Sequence, residues 1–158
     1  MMRVGIGWDA HAFEEGRPLR LGGVTIPYEI GLAGHSDADV LIHALCDAML
    51  GAAALGDLGS FFPDDDEEFK GIDSTILLKR VNEMLAARGY EVANADSVII
   101  AQKPRVSMYL AEMKINIASI LEIEPDRICV KASSPEGLGA IGRSEGIAAQ
   151  AVVLLSRR

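Results

Sequence analysis

The first apolar pattern of the chain has a period of two residues. Val4, Ile6 and Trp8 alternate with small or polar neighbours between Arg3 and His11. Because successive side chains of a β-strand point to opposite faces, this alternation predicts a strand. We expect this strand to open the fold.

Three later segments repeat their apolar residues at the spacing of a helix face. A first helix follows a candidate N-cap at Ser36 or Asp37, and a second begins near Asp73 or Ser74 and ends at Gly89. A third helix follows the proline of "AQKPRVS". The predicted apolar stripes are Val40, Leu41, Ala44, Leu45, Ala48, Met49 and Ala52 in the first helix, Leu77, Val81, Met84 and Leu85 in the second, and Val106, Leu110, Met113, Ile117, Ile120 and Leu121 in the third.

The remaining apolar runs predict further strands. "PLRLGGVTIP" has two short β-type runs around Gly22 and Gly23, which predicts a hairpin. "ADSVIIAQ", "RICVKAS" and "IAAQAVVLL" predict three more strands, and the third helix connects the first two of them as a crossover. The acidic segment "GDLGSFFPDDDEEFKG" is expected to be a mobile surface loop. This order predicts an α+β fold, with a mixed β-sheet covered by three helices in a single domain spanning 1–158.

The net charge of −8 restricts the partners that the chain could bind. A nucleic-acid or anionic-membrane surface needs clustered Lys and Arg, so neither partner is expected. A small anionic ligand is compatible if metal ions supply local positive charge. Because no leader-like stretch opens the chain and no apolar run has membrane length, we expect a cytoplasmic location. Cys46 and Cys129 lie in apolar patterns and are expected to be reduced core residues.

The clearest candidate for chemistry is an aspartate and a histidine on the predicted first strand. Asp9 and His11 are two residues apart and therefore point to the same face. The first helix offers a third ligand, His43, in line with Asp39 and Asp47 at intervals of four residues. An Asp/His/His set with an open position is typical of catalytic zinc, and either helical aspartate could hold the other ring N–H of the histidine. The alternative is that this helical line is a solvated face.

Two loops offer weaker candidates for binding an anion. In "KASSPEGLGAIGR", the hydroxyls of Ser133 and Ser134 and the exposed backbone could hold phosphates, and Glu136 could bind Mg²⁺. The alternative is an ordinary glycine-rich turn. His35 and Ser36 precede the first helix, where a histidine could meet an anion. The junction "AQKPRVS" could receive a base edge or a phosphate, or could be a solvated strand–helix connection.

Taken in order, the motifs identify a family. "GIGWDAHAF", "HSDADVLIHALCDAMLGAAALGDLGSFFPDDD", "IIAQKP", "VKASSPEGLG" and "GRSEGIAAQAV" resemble those of the 2-C-methyl-D-erythritol 2,4-cyclodiphosphate synthases over essentially the whole chain. The resemblance implies a homotrimer with active sites at subunit interfaces. It also implies a lyase of the non-mevalonate route of isoprenoid biosynthesis. The implied substrate is 4-diphosphocytidyl-2-C-methyl-D-erythritol 2-phosphate, and the implied products are the cyclic diphosphate and CMP.

The resemblance also implies a metal for each of two places. It assigns Zn²⁺ or another divalent metal to Asp9, His11 and His43. It assigns Mg²⁺ or Mn²⁺ to Glu136 together with the diphosphate of the substrate. The substrate then supplies its own nucleophile, the 2-phosphate, so the protein needs only to orient the substrate and neutralise its charge. The acidic segment is expected to close over the substrate and exclude water.

Other roles follow from the same resemblance. His35 and Ser134 match positions that stabilise the transition state, and Arg143 matches a residue near the central channel of the trimer. The implied substrate contacts are Asp9, Ala10, His11, His35, Ser36, Asp57, Leu58, Gly59, Phe62, Pro63, Asp64, Asp65, Asp66, Ala101, Gln102, Lys103, Pro104, Arg105, Val106, Ser107, Ser133, Ser134, Pro135, Glu136 and Arg143. Two alternatives remain open on the residues alone. One is a metal-dependent phosphoesterase that activates water, and the other is a non-catalytic trimer that binds a metal or an isoprenoid diphosphate.

Overall fold

The computed structural model describes all residues, 1–158, and confirms the predicted alternation of strands and helices. The strands are β1 (Met2–Glu14), β2 (Leu19–Leu21), β3 (Val24–Ile26), β4 (Gly31–Leu32), β5 (Tyr90–Ile100), β6 (Ile128–Ser133) and β7 (Gly146–Arg157). The α-helices are α1 (Val40–Ala52), α2 (Leu58–Phe61), α3 (Ser74–Ala86), α4 (Leu110–Leu121) and α5 (Gly139–Gly142). Single 3₁₀ turns lie at Glu67–Phe69, Ser107–Tyr109 and Pro125–Arg127.

Five of the strands form one mixed sheet in the order β4-β1-β7-β5-β6. β1 and β5 each pair with β7 in antiparallel orientation, whereas β5 and β6 are parallel. Because parallel neighbours require a crossover connection, the chain passes through α4 between them, as the sequence predicts. β2 and β3 form the predicted hairpin, in which Gly22 and Gly23 have φ values of 58° and 74°. The α+β class with a mixed sheet is therefore confirmed.

The core lies between one face of this sheet and the three long helices. α1 crosses β1 and β7 and is buried over most of its length, with Leu41, Ile42 and Met49 fully inaccessible. A fully buried side chain of this kind contributes about 1.5–3 kcal/mol of hydrophobic stabilisation. α3 packs against α1 and β5, and α4 packs against β6. α1 is thus held from both sides, which fixes the position of any side chain that it presents.

Two glycines of β1 set how closely α1 approaches the sheet. A Cβ built on Gly5 would overlap the backbone of Ala48 and Ala52, and one built on Gly7 would overlap the carbonyl oxygen of Ala44. The helix backbone therefore lies directly on these glycines, and its own facing residues are alanines. The alternation of glycine with large residues in "VGIGW" is explained by this contact, because the glycines occupy the helix side of the strand.

Helix ends differ in part from the sequence prediction. The N-cap of α1 is Asp39, whose side chain accepts a hydrogen bond from the Ile42 amide, and not Ser36 or Asp37. The predicted start of the second helix near Asp73 or Ser74 is confirmed, since α3 begins at Ser74 and its N-cap is Asp73, which accepts from the Thr75 amide. α3 ends at Ala86 and is capped by Ala87, so Gly89 lies just beyond the helix rather than at its end.

The other face of the sheet carries no helix. Met2, Val4, Ile6 and Trp8 point to this side and are 61 to 70 % exposed. Cys129 also lies on this side of β6, so the prediction that it is a core residue is wrong, whereas Cys46 is fully buried. Each strand of this sheet directs side chains to both faces. An apolar run in the sequence therefore does not show which of its residues face the helices and which face the open side.

The acidic segment between α1 and α3 is more regular than a plain loop. It contains α2 and the turn Glu67–Phe69, and two of its aromatic side chains, Phe62 and Phe69, are buried against each other with ring centroids 5.3 Å apart. These rings anchor the segment to the core, while its acidic side chains point outward. No helix of the chain reaches the length and apolar character that crossing a membrane requires.

Candidate functional site

The site is built at the end of β1. Asp9 and His11 lie on the same face of the strand, as their spacing predicts, and the Nε2 atom of His11 lies 2.8 Å from the Oδ2 atom of Asp9. This is the same helix-facing side on which the glycines admit α1. The polar pair therefore continues the row of close contacts between strand and helix.

His43 completes a three-residue cluster from the middle of α1. Its Nδ1 atom lies 3.0 Å from Asp9 Oδ2 and 3.3 Å from His11 Nε2. One carboxylate oxygen and two imidazole nitrogens, all within 4.8 Å of one another, thus converge from two elements. The close approach of α1 to β1 is what makes this convergence possible, since a helix held further away would carry the histidine out of reach.

The backbone fixes the protonation of the His11 ring. Its Nδ1 atom lies 2.6 Å from the carbonyl oxygen of Ala33. A carbonyl oxygen only accepts hydrogen bonds, so Nδ1 carries the proton and Nε2 is the atom available to a metal. Such support from a backbone carbonyl is typical of metal-binding histidines.

The second ring nitrogen of His43 is held by hydroxyl groups. Its Nε2 atom lies 3.0 Å from the Oγ atom of Ser74 and 3.1 Å from the Oγ atom of Ser36. The prediction that Asp39 or Asp47 holds this nitrogen is wrong. No spacing along α1 could have revealed Ser74, because it comes from the first turn of α3.

The two helical aspartates have other roles. Asp39 is completely buried and accepts hydrogen bonds from the amides of Gly22, Gly23 and Ile42, so that it joins the hairpin to the start of α1. Burial raises the pKa of its carboxyl group, although the three amides oppose this effect. The carboxylate of Asp47 accepts from the amide of Leu58 at 2.7 Å, and burial raises its pKa as well. The alternative of a solvated helical face does not hold, since Asp39 is fully buried and Asp47 half-buried.

The charges in the cluster favour a carboxylate facing a cation. Burial by itself would raise the pKa of Asp9, but hydrogen bonds from His11 and His43 and their charges lower it to about 2. Burial would lower the pKa of His11, but the hydrogen bond and charge of Asp9 raise it above 6.5. The Asp9 carboxylate is therefore ionised at neutral pH, and its surroundings favour a positive charge beside it.

This donor set fits a catalytic divalent metal. Asp9 Oδ2 and His43 Nδ1 are two potential metal ligands only 3.0 Å apart, and such a pair needs a proton or a metal cation between its lone pairs. One carboxylate and two imidazoles match the ligand types of zinc, and three protein ligands leave a position open for a substrate. The Asp9, His11 and His43 cluster is the one group of three such side chains in the chain.

A cavity of about 200 Å³ surrounds the cluster. Its lining includes the predicted residues Asp9, His11, His35, Ser36, His43, Leu58, Gly59, Phe62 and Asp64. Gly34, Asp47, Phe69, Ile72 and Leu77 also line it, and none of these was predicted as a substrate contact. The predicted contacts Ala10, Asp57, Pro63, Asp65 and Asp66 lie outside the lining. The ring of His35 is directed by a hydrogen bond of 2.8 Å between Nε2 and the carbonyl oxygen of Asp66.

A second cavity of about 290 Å³ lies where β5 and β6 end. Its lining consists of the predicted residues Ala101, Gln102, Pro104, Arg105, Val106, Ser107, Ser133 and Ser134, together with Ala132. Lys103 and Pro135 are not part of it. The amide of Gly137 donates to the Oε1 atom of Gln102 at 2.9 Å, so the glycine-rich loop is fastened to the cavity wall.

The remaining predicted residues lie on the glycine-rich loop, outside both cavities. Glu136 is exposed, and its amide donates to the Oγ atom of Ser134 at 3.0 Å. Arg143 is exposed and forms an ion pair with Glu145 at 2.5 Å. Their side chains are therefore free of the core and accessible to a ligand or to another chain.

The two cavities are separate within one chain. Asp9 is level with Ala149, Ile99 and Ala132 across the sheet, so β7 and β5 lie between the cluster and the second cavity. Three strand spacings correspond to about 14 Å. The residues that line the two cavities thus form two groups that are not joined within one chain.

Comparison with known proteins gives a consistent family. Residues 2–156 match the YgbB family. The chain is 57% identical to the 2-C-methyl-D-erythritol 2,4-cyclodiphosphate synthase of Geobacillus sp. (strain WCH70) over 158 residues, covering 100% of both chains. It is 54% identical to the synthase of that name from Syntrophomonas wolfei over 156 residues, covering 99% of each.

Two solved structures have the same fold. The bifunctional IspDF from Campylobacter jejuni superposes with a TM-score of 0.96 at 44% identity, and the match covers 100% of this chain but 43% of that one. A CDP complex of IspF from Plasmodium falciparum superposes with a TM-score of 0.87 at 32% identity, covering 99% of this chain and 97% of the other. The described fold is therefore shared along its whole length.

Proposed function

The chain belongs to the YgbB family and catalyses the formation of 2-C-methyl-D-erythritol 2,4-cyclodiphosphate, as a lyase of the non-mevalonate isoprenoid route. We propose the following roles for its residues in this reaction. The observation that carries the assignment is the converging Asp9, His11 and His43 cluster in a chain whose full-length relatives bear the synthase name. The phosphoesterase and the non-catalytic trimer are not favoured, because those relatives are named as synthases.

The reaction needs no nucleophile from the protein. In the proposed substrate, 4-diphosphocytidyl-2-C-methyl-D-erythritol 2-phosphate, an oxygen of the 2-phosphate forms a bond to the β-phosphorus. The bond from this phosphorus to the bridging oxygen breaks, and CMP leaves with the electron pair. The residues of the chain then have to fold the substrate into a ring-like geometry and keep water away.

Asp9, His11 and His43 would hold a divalent metal, for which we propose Zn²⁺. When bound, this metal supplies Lewis-acid polarisation of a phosphoryl oxygen. The exposed carboxylate of Glu136 would hold Mg²⁺ or Mn²⁺ together with the diphosphate of the substrate, since carboxylate and phosphate oxygens are the ligands that Mg²⁺ prefers. These cations explain how a chain with a net charge of −8 binds a strongly anionic substrate.

His35 and Ser134 would contact the reacting phosphates. The hydroxyl of Ser134 accepts from the Glu136 amide, and its own proton has no acceptor within the chain and is free to donate to a phosphate oxygen. His35 lies in the wall of the cluster cavity, where the hydrogen bond to Asp66 orients its ring. We propose that the Ser134 hydroxyl donates to negative charge that develops as the β-phosphorus is attacked, and that His35 contacts the same phosphates from the cavity wall.

The other predicted contacts would divide between the two cavities. The cluster cavity and the segment from Asp57 to Asp66 would receive the methylerythritol part, and this acidic segment would close over it to exclude water. The cavity at Ala101–Ser107 would receive the cytidine part. The binding of CDP by the Plasmodium falciparum relative supports a cytidine diphosphate ligand.

We propose that the chain works as a homotrimer in which the two cavities meet between neighbouring subunits. Within one chain they are about 14 Å apart, with two strands between them. The open face of β1 presents a continuous row of exposed apolar side chains, which is typical of a protein–protein contact. A second subunit packed on this face would cover the row and could bring Ser134 and Glu136 toward the cluster of its neighbour.

Phosphorus NMR with the purified protein tests the reaction. The substrate is supplied with Zn²⁺ and Mg²⁺, and we expect CMP and a cyclic diphosphate to form together. CMP accompanied only by open-chain phosphates would indicate hydrolysis, and a folded, zinc-loaded protein that releases no CMP would contradict the assignment.

A further inference from the structure

The ring of His43 has two edges with different surroundings. The Nδ1 edge faces Asp9 and His11, and the Nε2 edge faces the hydroxyl groups of Ser74 and Ser36. A neutral imidazole carries its proton on one nitrogen and a lone pair on the other. Which nitrogen can bind a metal is therefore decided by the partner on the opposite edge.

The hydroxyl of Ser74 can only accept from this ring. Its Oγ atom makes a short hydrogen bond to the Oδ1 atom of Asp37, and the Ser74 amide donates to the Oδ2 atom of the same carboxylate at 3.1 Å. A carboxylate accepts hydrogen bonds, so the hydroxyl proton of Ser74 is directed to Asp37. The lone pairs of Ser74 then face His43 Nε2, which must carry the proton.

Ser36 does not impose this choice. Its Oγ atom accepts from the amide of Ala38 at 3.1 Å, and its own proton has no acceptor in the chain other than the Nε2 atom of His43. This hydroxyl can rotate to accept from a protonated Nε2 or to donate to an unprotonated one. Ser36 and Ser74 are thus at almost equal distances from the His43 ring, but only Ser74 determines which ring nitrogen carries the proton.

The support continues behind Asp37. The guanidinium of Arg20 lies 3.7 Å from the Oδ2 atom of Asp37 and 3.2 Å from that of Asp73. Ser74 itself is completely buried at the first turn of α3, directly after its N-cap. The orientation of the hydroxyl is therefore set by a rigid helix start and by an ion-paired carboxylate.

We propose that Ser74, oriented by Asp37, is a positioning residue that holds His43 in the form with the proton on Nε2 and so presents the Nδ1 lone pair to the metal. His11 is held in the opposite form by Ala33, with the proton on Nδ1. The two histidines would then bind one metal through different nitrogens, each selected by an acceptor outside the cluster. This inference rests on the proposed role of the cluster in binding a metal.

Zinc affinity provides the first test, with two serine variants as a matched pair. Replacing a group that orients a metal-binding histidine typically costs 10–100-fold in metal affinity. We expect Ser74→Ala to weaken zinc binding by roughly this factor, and Ser36→Ala to weaken it clearly less. The affinity is measured by competition with a chelator, and circular dichroism confirms that each variant is folded. Equal zinc affinity in Ser74→Ala and the wild type would overturn the proposal, as would an equal loss in both variants.

Imidazole nitrogen NMR provides the second test, and it is informative in the unaltered protein. The chain has only three histidines, so their ring signals can be assigned. In the zinc-loaded protein we expect a slowly exchanging proton on His43 Nε2, which exchanges faster in Ser74→Ala and is retained in Ser36→Ala. A proton on His43 Nδ1 would overturn the proposal even if no variant folds.

The two tests separate this inference from the proposed function. A wild-type protein that binds no zinc at the cluster would contradict the metal site itself. A wild-type protein that binds zinc and forms the cyclic product, while Ser74→Ala matches it in both zinc affinity and proton exchange, would contradict only the role of Ser74.

Discussion

Gly7 of β1 lies directly against the carbonyl oxygen of Ala44 in α1, with no room for a Cβ atom between them. His43 is the residue next to this contact, so the distance between strand and helix determines whether its ring reaches Asp9. We expect Gly7→Ala to push α1 away, at a cost of about 1–3 kcal/mol for overpacking. We also expect the zinc affinity to fall, because the displaced helix carries His43 away from Asp9. Urea unfolding and a zinc titration measure the two effects.

Gly51→Ala is the matched control for this substitution. A Cβ at Gly51 would meet nothing closer than the Ile6 carbonyl oxygen at 3.9 Å, and the residue lies in the last turn of the same helix. Because alanine favours a helix over glycine, we expect a gain of about 0.5–1 kcal/mol and unchanged zinc affinity. A Gly7→Ala protein as stable as the wild type would contradict the account of the helix–strand contact.

Much of the cluster could be predicted because it follows from local periodicity. The spacing of two places Asp9 and His11 on one face, and the helical spacing around His43 predicts a polar position on an otherwise apolar helix. The residues that support the rings could not be predicted in this way. Ser74 comes 31 residues after His43, and its approach depends on how α3 packs on α1.

The sequence was also a poor guide to the two faces of the sheet. Cys129 and the buried Val130 belong to the same apolar run, yet one points to the open face and the other to the core. The spacing predicts Asp39 or Asp47 as the support of His43, but the hairpin turn packs over Asp39, and its carboxylate accepts a hydrogen bond from the Gly22 amide. In each case the outcome depends on a contact between elements that are distant in the sequence.

Loss of His43 should remove the metal without unfolding the chain. The ring is a ligand of the proposed site, and its removal leaves Asp9 and His11 as an incomplete pair. Removal of a group that only supports a metal ligand typically lowers metal affinity by roughly 10–100-fold. We expect His43→Ala to lower zinc affinity by more than this and to show no detectable turnover. Metal analysis after dialysis checks the first result. A normal zinc content in this variant would exclude His43 as a ligand.

Glu136 should determine the response to Mg²⁺ but not the zinc content. We expect Glu136→Gln to raise the Mg²⁺ concentration for half-maximal rate by roughly tenfold or more, because a neutral amide is a weaker ligand than a carboxylate. Glu124→Gln serves as the control, since Glu124 is also exposed but lies in the connection before β6. The same Mg²⁺ dependence in both variants would remove Glu136 from the second metal site.

The open face of β1 should be required for assembly. Ile6 is 65% exposed and points away from α1, so Ile6→Glu leaves the core and the metal cluster untouched. In a trimer the new carboxylate would be buried in an apolar contact, which is costly. Light scattering should therefore report a monomer. This monomer should keep its zinc but lack activity. Ile115→Glu, at a position 58% exposed on α4, should remain a trimer, and a trimeric Ile6→Glu protein would argue against this interface.

The N-cap of α3 should make a pH-dependent contribution to stability. The carboxylate of Asp73 accepts from the amide and the hydroxyl of Thr75 at 2.9 and 2.7 Å. Burial alone would raise its pKa, but the Thr75 hydrogen bonds and the charge of Arg20 lower it below 3.8. A depressed pKa means that the ionised cap favours the folded state above pH 3.8, and that this contribution is lost as the pH falls through the lower folded value.

Asp73→Ala should therefore reduce the free energy of unfolding by about 1 kcal/mol near neutral pH, the usual cost of removing an N-cap. The difference from the wild type should shrink as the pH falls below 3.8, because the wild-type carboxyl then becomes protonated. Asp73→Asn is the control, since asparagine also caps helices but does not titrate. Urea unfolding of the three proteins at neutral and acidic pH makes the comparison. If the difference between wild type and Asp73→Ala grew on acidification, the assigned direction of the pKa shift would be wrong.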